Sequence, residues 1–113
     1  MNVRVLLIAV AFLASTVSGF AAEQRKVIGE GLRSCGAWTK ERQAESPQSA
    51  LFATWVLGYV TGMNWVDYSE PDFLMKTDAF GILAWVDNYC RTHPVDTINR
   101  AASEVVEFLK TRP

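Results

Sequence analysis

The stretch Asp78–Pro94, which reads DAFGILAWVDNYCRTHP, decides the fold. Asp78 is a good helix N-cap, because its carboxylate can accept hydrogen bonds from the free N–H groups of the first turn. Pro94 marks the end, because the residue before a proline is pushed away from helical angles. Between them, apolar residues recur at steps of three and four, which predicts a central helix with two apolar stripes. These stripes are Phe80, Leu83, Val86 and Cys90, and beside them Ile82, Trp85 and Tyr89.

Two helices are predicted before this central one. Ser34 can cap a short helix from about Cys35 to Ala44, with Trp38 turned inward. Ser46 and Pro47 are a capping residue and a first-turn proline, which predict a helix that runs to about Val66. Residues 22–32 are expected to be an irregular lead-in, and residues 67–76 a connecting loop.

A last helix is predicted to begin after Asp96 as its cap and to end near Lys110. Its inward face repeats with helical spacing and consists of Ile98, Ala101, Ala102, Val105 and Leu109. The predicted fold class is therefore all-α: a small single-domain helical bundle with three main helices, one short helix and one disulfide.

Gly58 and Gly62 stand four residues apart in the second helix. Each glycine costs a soluble helix about 1 kcal/mol relative to alanine. We expect the compensation to be close approach of another helix, namely the one that carries Cys90.

Residues 1–21 have the pattern of a secretory signal peptide. Arg4 supplies the positive start, Val5–Val17 is an uncharged apolar run, and the small residues Ser18, Gly19 and Ala21 suit a cleavage site. A membrane anchor is the alternative, but the run is shorter than the roughly 20 residues of a spanning helix. The expected domain is then 22–113, without a stable membrane span, in the periplasm or secreted.

Two cysteines in an exported chain favour one disulfide, Cys35–Cys90. Two free thiols and an intermolecular bridge are the alternatives. A disulfide that closes a loop of this length is worth about 4 kcal/mol on the chain-entropy account.

The composition argues against several functions. The chain has eleven Lys and Arg and twelve Asp and Glu, and it has no basic tract. No nucleic-acid partner is therefore expected. The single histidine, His93, is expected to meet free carbonyls at a helix end, and no serine has a nucleophile-elbow context. Asp67, Glu70, Asp72 and Asp78 lack the spacing of a calcium loop and are expected to be solvated. We therefore predict no enzyme, no catalytic residue, no cofactor and no metal.

Seven Trp and Tyr residues are many for so small a chain. Core packing explains most of them. Trp65 and Tyr68, at the end of the second helix, are the candidate partner-binding residues, because these two residue types dominate binding patches energetically. A protein partner or unfolded clients are expected, and a homodimer is left open.

The chain resembles the HdeA/HdeB family in Ser34-Cys35-Gly36-Ala37-Trp38, then Pro47, Trp55 and Gly58, then Tyr89-Cys90-Arg91-Thr92-His93-Pro94. The resemblance implies a periplasmic acid-stress chaperone that is folded at neutral pH and loosens in acid to hold unfolding clients. Carboxylates that are paired or capping when ionised would supply that response, and Asp78, Asp87 and Asp96 are the candidates.

A second resemblance is to the Tai-like immunity proteins of type VI amidase effectors. It rests on Gly58-Tyr59-Val60-Thr61-Gly62 and on Tyr89, His93 and Pro94 before an alanine-rich amphipathic helix. This resemblance implies an inhibitor that binds one folded cell-wall-degrading effector. An envelope protein of another role is the third hypothesis.

Overall fold

Four helices and one 3-10 turn make up the described part of the fold. The helices are α1 (Cys35–Gln43), α2 (Pro47–Val66), α3 (Ala79–Thr92) and α4 (Ile98–Thr111), and the turn is Glu30–Leu32. They are seen in a computed structural model, which describes residues 25–68 and 71–112. The predicted all-α single domain with three main helices and one short helix is confirmed. The predicted signal peptide, residues 1–21, lies outside the described residues.

Each helix begins with a side-chain cap. The oxygens of Ser34, Ser46 and Asp78 accept hydrogen bonds from the backbone N–H three residues on, as the sequence predicted. These bonds satisfy N–H groups that a helix N-terminus leaves free.

The cap of α4 was predicted wrongly. Thr97, not Asp96, accepts from the backbone N–H of Arg100, at 3.1 Å. Asp96 is used elsewhere, because its carboxylate accepts from the Tyr89 hydroxyl and its carbonyl accepts from the N–H of Cys35.

The corner between α1 and α2 is a Schellman motif with an unusual residue. The N–H of Glu45 donates to the carbonyl of Arg42, and the N–H of Ser46 donates to the carbonyl of Glu41. This pattern requires a left-handed residue after the helix, where glycine is usual. Here the residue is Glu45, with φ of 50°.

The core lies where all four helices meet. The predicted inward face of α4 is buried, together with Val106. In α3 the buried seam is Ile82, Val86 and Cys90. Phe80 was expected to be inward but is 84% exposed, because it stands six residues from Val86, about 120° around the helix.

The predicted disulfide between Cys35 and Cys90 is present, and both cysteines are buried. Backbone hydrogen bonds join the same two regions: the Gly36 N–H donates to the Pro94 carbonyl, and the Ile98 N–H donates to that of Arg33. The start of α1 is therefore fixed to the corner between α3 and α4 both covalently and through the backbone.

None of the described helices packs closely against Gly58 or Gly62, so the expected close approach of α3 was wrong. A Cβ atom at either position would meet nothing within 4 Å. The close approach occurs at Gly31 instead, where a Cβ atom would lie 2.3 Å from the ring of Trp55. The indole N–H of Trp55 donates to the Ile28 carbonyl at 2.9 Å, so the lead-in segment is held against α2.

Candidate functional site

A carboxylate on α3 joins this helix to α1. Trp38 and Arg42 lie one turn apart on α1, and both reach Asp87. The Trp38 indole N–H donates to Asp87 Oδ1 at 2.8 Å, and the Arg42 guanidinium donates to both carboxylate oxygens at 2.8 and 2.9 Å. The guanidinium also lies over the Trp38 ring, 5.6 Å from its centroid. We call Trp38, Arg42 and Asp87 the Asp87 cluster.

Two opposing effects set the ionisation of Asp87. Burial by itself raises the pKa of this carboxyl, but the hydrogen bonds from Arg42 and Trp38, with the charges of Arg42 and Arg91, outweigh it. The pKa of Asp87 therefore lies below its ordinary value. The cluster is thus stable while Asp87 is ionised, and protonation weakens it.

Stacked rings line the side of α3 that faces α4. His93 stacks on Tyr89 with centroids 4.1 Å apart, Tyr89 on Trp85 at 5.5 Å, and Trp85 contacts Phe108 at 5.6 Å. His93 Nδ1 lies 2.8 Å from the Tyr89 carbonyl, so the predicted helix-terminal role of His93 is confirmed. Two of these contacts lie along α3 itself and one joins α3 to α4, and all three are ordinary aromatic packing.

The candidate partner-binding residues lie at the C-terminal end of α2. Trp65 is 70% exposed and Tyr68 is 90% exposed, with Val66 also exposed between them. One residue before Trp65, the Asn64 side chain accepts from the Phe73 N–H and donates to Asp72. These two hydrogen bonds hold the connecting segment against α2. Their assignment to partner binding stays a prediction.

The outward side of α2 is a continuous surface that the sequence reasoning missed. It consists of Leu51, Thr54, Gly58, Thr61, Gly62 and Trp65, all exposed. At 100° per residue these six positions fall within an arc of about 100°. We call them the α2 outer face. The signal was present in the sequence, because Pro47–Val66 contains no charged residue in twenty positions.

Residues 25–68 and 71–112 contain neither a cluster of metal-ligand side chains nor a membrane-spanning helix. No three His, Cys, Asp or Glu side chains gather there in a way that could hold a metal ion. Asp72 Oδ1 accepts from the Leu74 N–H at 3.0 Å, and so stabilises a turn. No helix in these ranges has both the length and the apolar character to cross a membrane.

Comparison with known proteins adds no assignment: no family model, no curated protein and no solved structure matches this chain.

Proposed function

We propose that this chain is a non-enzymatic exported protein-binding protein, and that it acts as an HdeA/HdeB-like chaperone that holds unfolding clients in acid. The observation that carries the proposal is the Asp87 cluster, in which one carboxylate holds a fully buried tryptophan, Trp38. An acid response needs a carboxylate that stabilises the native state only when it is ionised, and Asp87 meets that requirement.

Protonation of Asp87 removes the charge from its hydrogen bonds with Arg42 and Trp38. Bonds to an ionised group are roughly twice as strong as neutral ones, so α1 is held less firmly on α3. Trp38 stacks on Phe52 with centroids 6.4 Å apart, and both are fully buried. Loosening α1 exposes this pair as apolar surface for a client, while the disulfide keeps α1 tethered to α3.

Client protection measured across pH tests this proposal. We expect the oxidised protein to lose part of its helical circular dichroism at about pH 2–3 and to suppress aggregation of an acid-unfolded client there, but not at pH 7. The variant Asp87→Asn is expected to begin protecting at higher pH. An unchanged circular dichroism spectrum at about pH 2–3, without client protection, would remove the chaperone role.

The second candidate is a Tai-like immunity protein that binds one folded effector. The observation that favours it is the exposure of Trp65, Val66 and Tyr68 in the native fold, which offers a surface without unfolding. Such a protein would bind a cell-wall-degrading amidase effector at neutral pH and inhibit it. We expect the double variant Trp65→Ala/Tyr68→Ala to lose this inhibition, whereas Phe80→Ala, an equally exposed aromatic on α3, would keep it.

A further inference from the structure

We propose that the cleft beside the Asp87 cluster binds a tetrahedral oxyanion, sulfate or a phosphate group, which Arg42 and Arg91 hold once Asp87 has lost its charge. The inference rests on the proposed function, because acid is the condition that removes this charge. It deepens that function by adding a ligand that opposes the opening of the fold.

The cleft lies between α1, the first turn of α2 and α3, and its volume is about 560 Å³. This volume is within the usual range of small-molecule sites, about 300–1,000 Å³. Apart from Ala50, every residue in its wall has a charged, hydroxyl or amide side chain. The charged ones are Arg42, Glu45, Asp87 and Arg91. Such a wall suits a small charged ligand rather than an apolar one.

Asp87 is the counter-ion of both arginines. The Arg42 guanidinium, on α1, donates to its two carboxylate oxygens at 2.8 and 2.9 Å. Arg91 follows Asp87 by one turn on α3, where residues four apart are neighbours. Arg91 itself donates to the side-chain oxygen of Asn88, which is a neutral group. While Asp87 is ionised, the wall has two positive and two negative charges and is balanced.

Protonation of Asp87 leaves the two guanidinium groups with only the charge of Glu45 in the wall. An oxyanion in the cleft restores the balance, and its oxygens match the planar fork of donors that a guanidinium presents. A carboxylate ligand would be protonated under the same conditions, because carboxyl groups have ordinary pKa values of about 4. Sulfate and phosphate groups keep a negative charge there. The chemistry therefore favours a tetrahedral oxyanion over a carboxylate.

An unpaired hydroxyl lies on the same side of α1 as Arg42. Thr39 precedes Arg42 by one turn and lines the cleft with it. Its hydroxyl oxygen is buried and, within residues 25–68 and 71–112, has no hydrogen-bond partner. Buried polar groups without a partner are uncommon in native proteins. The wall thus contains an unused donor on the helix face that presents the Arg42 guanidinium.

A bound oxyanion takes over the connection that Asp87 provides at neutral pH. Arg42 belongs to α1 and Arg91 to α3, so an anion held by both joins the two helices. A ligand that binds only the folded state stabilises that state. In acid, sulfate therefore holds α1 on α3, and client protection is expected to begin at lower pH in its presence.

The variant Asp87→Asn tests the site at neutral pH, because its uncharged amide leaves both arginines without their counter-ion. We expect sulfate, at several times its dissociation constant, to raise the melting temperature of the oxidised variant by about 4–8 °C more than that of the wild type. The wild type is the control for the general stabilisation of proteins by sulfate. Isothermal titration calorimetry is expected to detect sulfate binding to the variant only.

Two double variants separate the cleft from the total charge of the chain. Asp87→Asn/Arg91→Gln is expected to respond to sulfate like the wild type. Asp87→Asn/Arg112→Gln loses the same charge at the C-terminal end of α4, outside the cleft, and is expected to keep the full response. Equal responses of the wild type and Asp87→Asn would overturn the proposal, and so would an equal loss in the two double variants.

The wild type gives a second measurement that does not depend on the folding of Asp87→Asn. Its acid unfolding, followed by circular dichroism, is expected to move to lower pH in sulfate, and Arg91→Gln is expected to reduce that shift. An acid transition that sulfate moves equally in the wild type and in Arg91→Gln would contradict the site. Neither measurement uses a client, so a lack of client protection would refute the chaperone role and leave the site in place.

A phosphate group has two sources, the free ion and a lipid headgroup, so inorganic phosphate and glycerol phosphate are compared on Asp87→Asn. Equal rises in melting temperature would support recognition of the oxyanion itself. A rise with glycerol phosphate alone would overturn the assignment, because it would show that the glycerol is what the cleft recognises.

Discussion

The indole of Trp38 and the carboxylate of Asp87 are joined by a hydrogen bond of 2.8 Å across 49 positions of the chain. The bond connects the short helix, α1, to the helix that carries the second cysteine, α3. Because Trp38 has no exposed surface, its N–H would otherwise lack a partner, and an unsatisfied buried donor costs about 1–3 kcal/mol.

Asp87→Asn is expected to lower the free energy of unfolding at pH 7 by about 1–3 kcal/mol, because it replaces charge-assisted hydrogen bonds with weaker neutral ones. The amide can still accept from Trp38, but the charge that Arg42 bonds is lost. Urea unfolding followed by tryptophan fluorescence measures the change. Glu107→Gln, an exposed carboxylate on α4, is the control and should leave the unfolding midpoint in place.

The free energies of unfolding of the wild type and of Asp87→Asn should converge in acid. The pKa of Asp87 is lower in the folded chain than its ordinary value of 3.8, so its contribution to stability is complete above about pH 5. That contribution is lost as the pH falls through the folded-state pKa. We expect the difference between wild type and Asp87→Asn to shrink over this range. A difference that stays constant from neutral to strongly acidic pH would contradict the role given to Asp87.

Reduction of the disulfide is expected to lower the free energy of unfolding by about 4 kcal/mol. Cys35 and Cys90 are 55 positions apart, so reduction frees a long loop in the unfolded chain. Urea unfolding with and without a reductant measures the loss. The double variant Cys35→Ala/Cys90→Ala should match the reduced wild type. Equal midpoints for oxidised and reduced protein would show that the bond contributes little.

Gly31→Ala is expected to destabilise the fold by about 1–3 kcal/mol, as overpacking does. Its Cβ would lie 2.3 Å from the ring of Trp55, which is held in place by the Ile28 carbonyl. The matched control is Gly36→Ala, whose Cβ would meet its nearest atom at 3.4 Å. Thermal unfolding of the two variants is the measurement, and equal melting temperatures would argue that Trp55 moves aside freely.

Glu45→Gly is expected to raise the free energy of unfolding by about 0.5–1 kcal/mol. The left-handed conformation of Glu45 costs about 1–2 kcal/mol, and glycine removes this cost but loses more backbone entropy on folding. Ala44→Gly, one residue earlier in a right-handed conformation, is the opposite control. It should lower the free energy of unfolding by about 0.5–1 kcal/mol, because it relieves no strain. Urea midpoints that move in the same direction for both variants would refute the strain at Glu45.

The sequence predicted those parts of the fold that local rules control. The caps Ser34, Ser46 and Asp78, and the inward face of α4, follow from hydrogen bonding and periodicity within one helix. Phe80 was placed wrongly because periodicity gives the spacing of a stripe, but not which side the neighbouring helices cover. Gly58 and Gly62 were misassigned for the same reason, because small residues allow a close contact without saying what makes it.

The candidate site depended on contacts that no local pattern contains. The Asp87 cluster joins residues 45 to 49 positions apart, so only the packing of α1 on α3 brings them together. The sequence singled out Asp87 as acid-sensitive, but it gave no sign that Trp38 and Arg42 would share the same carboxylate. The absence of charge in α2, by contrast, was visible in the sequence. Only the burial pattern was needed to show which of its residues form an exposed surface.

The disulfide closes one part of the chain into a covalent ring and leaves the rest of the chain outside that ring. Everything from Cys35 to Cys90 belongs to one covalent ring, whereas α4 lies wholly outside it and is held only by non-covalent contacts: packing, hydrogen bonds and the ion pair of Lys110 with Asp67. Yet α4 supplies six of the fourteen buried core residues that the structure describes. In the oxidised protein, α4 is therefore the helix that can dissociate while the ring stays closed, and its amide hydrogens should exchange with solvent before those of α3 around Cys90.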